Sequence, residues 1–136
     1  MSTNQHNTMK RTIKVNTATR DRIARKHGVT QQSVWNALNF VSRGKRPDEM
    51  RKDALAFGGR YIEEDFIPQC TFKRTSDGWI QQFAADVLVT VTGSDVVITK
   101  GRKTVAEFED VTMSGYSNIL AQAQKLAEAG MLDMAS

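Results

Sequence analysis

Residues Gln31–Asn39, "QQSVWNALN", set two glutamines and two asparagines among valine, alanine and leucine and carry no charge at all. A primary amide offers a donor and an acceptor side by side, which suits pairing with another planar polar edge better than it suits proton transfer. At 100° per residue Val34, Ala37, Leu38 and Val41 fall on one stripe. The opposite stripe holds Gln32, Asn36 and Asn39, flanked by Ser33, Trp35 and Phe40. An ordinary solvated helix face favours Glu, Lys and Arg, whereas each Asn costs a few tenths of a kcal/mol in helix propensity. This stripe trades helix propensity for uncharged hydrogen-bonding groups.

Other chemistries find little support. Cys70 is the single cysteine, so no internal disulfide forms, and with only His6 and His27 no zinc set is expected. No nucleophile stands beside a histidine, no glycine loop suits a phosphate, and "EED" and "EFED" read as surface acid. The chain is read as a non-enzyme without cofactor or metal. Its 136 residues suit one domain or two very small ones, too few for an enzyme on a large α/β scaffold. No apolar run approaches the roughly 20 residues of a membrane span, and "MSTNQHNTMK" lacks the apolar stretch of a signal peptide, so a cytoplasmic location away from membrane is expected.

Charge divides the chain. Residues 1–62 carry 13 lysines and arginines against 4 acidic residues, whereas residues 63–136 carry 6 against 11. A basic half beside an acidic half suggests one part that meets a polyanion and another that does not.

The amide stripe needs elements to position it. "NTATRDRIARKHG" predicts a helix with Thr17 or Thr19 as cap, Ile23 and Ala24 inward, and Gly28 as its stop. Thr30 caps the next helix. Ala24 is small where the second helix must cross, Gly28 turns the chain, Val29 plugs the corner, and Val34 with Leu38 rests on Ile23. Those are the requirements of a helix-turn-helix. In that arrangement the amide stripe enters the DNA major groove, where Gln and Asn match the N6 and N7 edge of adenine. Gln31, Gln32 and Asn36 are then the base-reading residues. Thr30 and Ser33 hold a backbone phosphate, and Arg20, Arg22, Arg43, Lys45, Arg46 and Arg51 supply sequence-independent affinity. Trp35 either packs half-buried against the third helix or Tyr61, or lies on deoxyribose at the groove wall.

A third helix is expected from Pro47 at its first position, with Met50, Ala54, Leu55 and Phe57 inward and "GG" as its end. "VTQQSVWNALN", a basic break and "PDEMRKDALAFGG" together resemble the DNA-binding headpiece of the lactose-repressor (LacI-type) family. Its recognition helix is marked by a Val-Ser/Thr-x-x-Thr/Ser-Val-x-x-x-Leu/Val-Asn pattern. Val29, Thr30, Ser33, Val34, Leu38 and Asn39 match it. The resemblance implies base reading by Gln31, Gln32 and Asn36 and phosphate holding by Thr30, Ser33 and Asn39. It covers residues 19–58, so the family's sugar-sensing domain and inducer do not carry over. An arginine is common there at the position of Asn36, which leaves the target sequence open.

Arg11–Val15 reads as a short strand or an extended lead-in, and residues 63–78 as a connector. Beyond it the period becomes two. "WIQQFAADVLVTVT", "DVVITK" and "KTVAEFE" predict three antiparallel strands, the first overlong or bulged near "AAD". The tip at Lys100, Arg102 and Lys103 is a solvated turn or a secondary phosphate contact. "SGYSNILAQAQKLAEAG" predicts a helix with Ile119, Leu120, Ala123, Leu126 and Ala127 on one face and Gly130 as its stop.

The expectation is therefore an α+β protein: a disordered tail over 1–10, a three-helix helix-turn-helix domain over 11–62, a connector over 63–78, and a three-stranded antiparallel β-meander with a C-terminal helix over 79–136. The expected function is sequence-specific transcriptional repression, with double-stranded DNA as partner and a homodimer formed through the C-terminal domain on a near-palindromic site. The alternative is a non-catalytic adaptor that docks the three-helix unit on another protein or on RNA.

Overall fold

A computed structural model describes residues 8–135, and side chains over 9–130. Among the described residues there are four helices and seven strands. This overturns the expected three-helix domain followed by a three-stranded meander. The helices α1 (Thr17–His27), α2 (Gln31–Leu38) and α3 (Lys45–Ala56) are framed by strands β1 (Thr8–Lys14) and β2 (Arg60–Phe66), and the later sheet has five strands rather than three. The chain divides into two compact units, residues 1–66 with 112–118, and residues 67–111 with 119–136. Of the tail expected over 1–10, residues 1–7 lie outside the described residues, and Thr8–Lys10 open β1.

In the first unit β1 and β2 form an antiparallel ribbon in which Lys10 faces Glu64 and Arg11 faces Glu63. The ion pairs Lys10–Glu64 at 3.8 Å and Arg11–Glu63 at 3.5 Å cross it. β1 also sends Ile13 into the helical core with Ile23, Ala24, Val34, Ala37, Leu38, Met50 and Ala54, while Val15, Val29, Phe40 and Phe57 pack at its margin. Leu55, expected inside, is 48% exposed. The turn of α3 that carries Met50 and Ala54 sets the inward face, and Leu55 lies a further 100° round it.

Two helix starts differ from expectation. Asn16, rather than Thr17 or Thr19, caps α1, its Oδ1 accepting from the Thr19 N–H at 2.8 Å. α3 begins at Lys45, so Pro47 is its third residue. Its missing N–H still costs nothing there, because the first turn has no intrahelical acceptors.

The second unit is a five-stranded antiparallel meander: β3 (Thr71–Arg74), β4 (Gly78–Phe83), β5 (Val87–Thr92), β6 (Asp95–Lys100) and β7 (Lys103–Phe108), adjacent in chain order. The expected overlong strand is a hairpin, β4 and β5, turning at residues 84–86. Ala84 takes a positive φ of 54° there, and the Gln82 amide donates to the carbonyls of Ala84 at 3.2 Å and Ala85 at 3.0 Å. Phe83, Val87, Val89, Val91, Val96, Ile98 and Phe108 are buried, as are Ile119, Leu120, Ala123 and Ala127. Those last four belong to α4 (Met113–Ala135), which continues past Gly130 instead of stopping there. Its first residues, up to Asn118, belong to the first unit. No helix among the described residues is long and apolar enough to cross a membrane.

Candidate nucleic-acid interface

The junction between α1 and α2 is made by the backbone. Gly28 takes φ 65° and ψ 39°, the left-handed conformation that lets a chain leave a helix sharply. The Val29 N–H reaches back to the Ala24 carbonyl at 3.0 Å, and Val29 packs at the margin of the core. Thr30 begins α2 with extended backbone, its hydroxyl accepting from the Ser33 N–H at 3.1 Å. It also donates to the Ser33 hydroxyl at 3.1 Å. Val34, Ala37 and Leu38 are buried, so the stripe opposite them turns outward.

On that outward side Gln31 and Gln32 are exposed, and Ser33, Trp35, Asn36 and Asn39 are half-buried. Gln32 Nε2 donates to Asn36 Oδ1 at 2.9 Å, one turn further on. Gln31 Nε2 donates to a carboxylate oxygen of Asp21 on α1. Asn39 is turned back, donating to the Trp35 carbonyl at 3.0 Å as the C-cap of α2. Asp21 was not legible as a partner, since nothing local links it to a residue ten positions later.

The cations around the helices differ in what they do. Arg22, Arg43, Lys45 and Arg46 are exposed. Arg22 lies over the Phe57 ring at 4.1 Å. Arg20 is half-buried. Arg51, read from the sequence as a phosphate contact, is turned inward: its Nη1 donates to the carbonyls of Ala37 at 2.8 Å and Ser42 at 3.1 Å, and it also pairs with Asp48. It lies 4.9 Å from the Phe40 ring centroid. A guanidinium that satisfies the last carbonyls of a helix suits the negative end of its dipole. Lys45 and Arg46 stand instead in the first turn of α3, where Gly44 supplies no side-chain cap. Cations at the positive end of a helix cost stability, and Asp48 in the same turn offsets part of that cost here.

The end of α2 is gripped by residues the sequence did not mark. Phe40 has a positive φ of 57°. Its carbonyl accepts from the Thr112 hydroxyl, and the carbonyls of Asn39 and Arg11 accept from Asn118 Nδ2, the latter at 2.7 Å. Ser117 donates to the Met9 carbonyl at 2.6 Å. The buried Ser117 and Asn118 thus serve β1 carbonyls, and Asn118 also holds the end of α2 through Asn39. In the sequence both belong only to the start of a predicted helix.

At the C-terminal end of α1, Asp53 of α3 meets Lys26 Nζ at 3.0 Å and His27 Nε2 at 2.6 Å. The hydrogen bond from His27 chiefly, with the hydrogen bond and charge of Lys26, holds the Asp53 carboxyl below the usual carboxylate range, against the opposing effect of burial. Among the described residues no group of three or more His, Cys, Asp and Glu is placed to hold a metal ion. Cys70 is half-buried and accepts from Gln81 Nε2 at 3.1 Å. Compared with family models, curated protein sequences and solved structures, the chain matches none.

Proposed function

We propose that this chain is a sequence-specific DNA-binding regulator, acting as a repressor that occupies its site through α1 and α2. The observation that carries the reading is the uncharged amide face of α2, turned outward by a buried Val34–Ala37–Leu38 stripe and presented after a left-handed turn at Gly28. Base edges in the major groove are read by such groups. The exposed Arg22, Arg43, Lys45 and Arg46 provide phosphate attraction around it, which supports the LacI-type resemblance of residues 19–58 without depending on it.

One recognition helix contacts only a few base pairs, so a homodimer on a near-palindrome completes the proposal. The five-stranded sheet supports it with two exposed edges: β3 is exposed along its length, with Phe72 58% exposed, and β7 carries the exposed Val105. Strand edges of that kind pair readily with another copy. Selection from random-sequence duplex DNA, followed by gel shift, tests the function. Recovery of a shared half-site repeated in inverted order is the expected result, and binding without preference for any duplex contradicts it.

A further inference from the structure

The two open edges of the five-stranded sheet are unequal. On β7, Ile98 faces Ala106 while the next residue of β6, Thr99, faces Thr104, so Val105 is an extra residue with none opposite it. Such a bulge breaks the regular spacing of outward backbone groups and blunts an edge against pairing. On β3 the register runs unbroken from Thr71 opposite Gln82 to Arg74 opposite Trp79. The Thr75 N–H donates to the Gly78 carbonyl at 3.0 Å, which makes those two a bonded pair at the end of the same ladder. Bonded and non-bonded pairs alternate between antiparallel strands, so Thr71 and Lys73 spend their backbone groups on β4, and those of Phe72 and Arg74 point away from it. Phe72, 58% exposed, stacks on Trp79 with ring centroids 6.2 Å apart.

We infer that β3 pairs antiparallel with β3 of a second copy, centred on Phe72. The inference rests on the homodimer of the reading above and names its seam. A two-fold axis normal to the sheet keeps every side chain on its own face, so the axis must pass through one residue. Centred on Phe72, the pairing joins the two Phe72 residues by backbone bonds and sets Lys73 opposite Thr71 and Arg74 opposite Cys70. No cation then opposes a cation, and the Phe72–Trp79 stacks of both copies meet on one face. Centred on Lys73, it sets the two Lys73 residues directly opposite one another, which is unfavourable for like charges. Centred on Thr71, it sets Arg74 opposite Pro68, which has no N–H to give. Head-to-tail pairing of β3 with β7 leaves a free edge at each end and grows into a filament, and the bulge at Val105 opposes it. A seam this short buries less than the roughly 1,200 Å² of a standard interface, so self-association in about the micromolar range is expected.

The test uses the full chain. Arg74→Cys, with Cys70 left in place, is oxidised with diamide, and sedimentation velocity compares the unsubstituted protein with Phe72→Glu. In the pairing centred on Phe72, position 74 of one copy lies about 5.5 Å from Cys70 of the other, Cα to Cα, within disulfide reach. Within one strand the same two positions are about 13 Å apart and cannot join. A dimer linked from position 74 to Cys70 is expected, and adding Cys70→Ser abolishes it. Phe72→Glu is expected to weaken self-association about 10-fold or more, with its circular dichroism melting unchanged. Linkage of Lys73→Cys to itself in a Cys70→Ser background, without linkage of Arg74→Cys, overturns the register. A dimer that Arg74→Cys does not link and Phe72→Glu leaves intact overturns the inference while keeping a homodimer through another surface. A monomer at every concentration overturns both, whereas preference among duplexes is measured separately and bears only on DNA recognition.

Discussion

Gly115, at the start of α4, lies so close to Phe40, just past the end of α2, that a Cβ on Gly115 would overlap the Phe40 carbonyl oxygen. The same Cβ would run into the Cα of Val41. The Gly115 N–H donates to the Thr112 hydroxyl at 2.8 Å, and that hydroxyl in turn donates to the Phe40 carbonyl. Backbone rests on backbone here, with no flexible side chain to give way.

Gly115→Ala is therefore expected to destabilise the first unit by about 2–3 kcal/mol, as overpacking against fixed atoms does. Urea unfolding followed by circular dichroism measures it. A change within about 0.5 kcal/mol would show that the α2 end and the α4 start are not held as described.

Gly28→Ala is a different case. A Cβ there meets nothing within 4 Å, so only its φ of 65° is at stake. The expected cost is about 1–2 kcal/mol from the left-handed backbone alone, with Gly28→Asn recovering part of it. Equal losses for Ala and Asn in the same urea experiment would point to packing instead.

Arg51 and Arg46 separate structure from electrostatics. Arg51→Ala leaves the carbonyls of Ala37 and Ser42 without a partner they now have, and costs about 1–3 kcal/mol of stability while barely changing the salt dependence of DNA binding. Arg46→Ala has the reverse profile: little loss of stability and a slope of log affinity against log salt reduced by about 1. With Arg22, Arg43, Lys45 and Arg46 as phosphate contacts, the slope of the unsubstituted protein is about −3.6, or about a 100-fold loss between 50 and 200 mM salt. Exchange of these two profiles would contradict the assignment of Arg51 to the Ala37 and Ser42 carbonyls.

Asp53 makes stability depend on acid. A carboxyl whose folded pKa lies below its unfolded value adds stability that is complete above the unfolded value, about 3.9, and is lost as pH falls through the lower folded value. Asp53→Asn should then cost about 1 kcal/mol at neutral pH and flatten the decline in melting temperature on the acid side of about pH 4. Parallel melting profiles for the two proteins across that window would remove Asp53 as the source.

These residues also show how far the sequence could be read. The α2 stripe was legible because helical period and burial agree: Val34, Ala37 and Leu38 recur on one side and the amides on the other. β2 and β3 were not legible. β2 buries none of its residues, and β3 is exposed throughout, so neither shows apolar alternation. The signal for the ribbon was instead its charge, "KRTIK" in β1 set against "YIEED" in β2, which becomes meaningful only once the register places Arg11 opposite Glu63. The β4–β5 turn was hidden for another reason. Ala84 occupies a left-handed position usually given to Gly or Asn, and a side-chain amide from Gln82 holds the turn. Gly130 misled in the opposite direction, since a glycine inside a helix is tolerated at a cost of about 1 kcal/mol and does not by itself end it.

The central claim is that the outward amide face of α2 gives this chain a preference for particular duplex sequences. The most direct measurement is fluorescence anisotropy at fixed salt, comparing the duplex recovered by selection with a scrambled duplex of the same length and composition. The account predicts an affinity ratio of about 1,000 or more, lost when Gln32 and Asn36 are both replaced by alanine. Equal affinity for the two duplexes, or a ratio that the double replacement leaves unchanged, would contradict it.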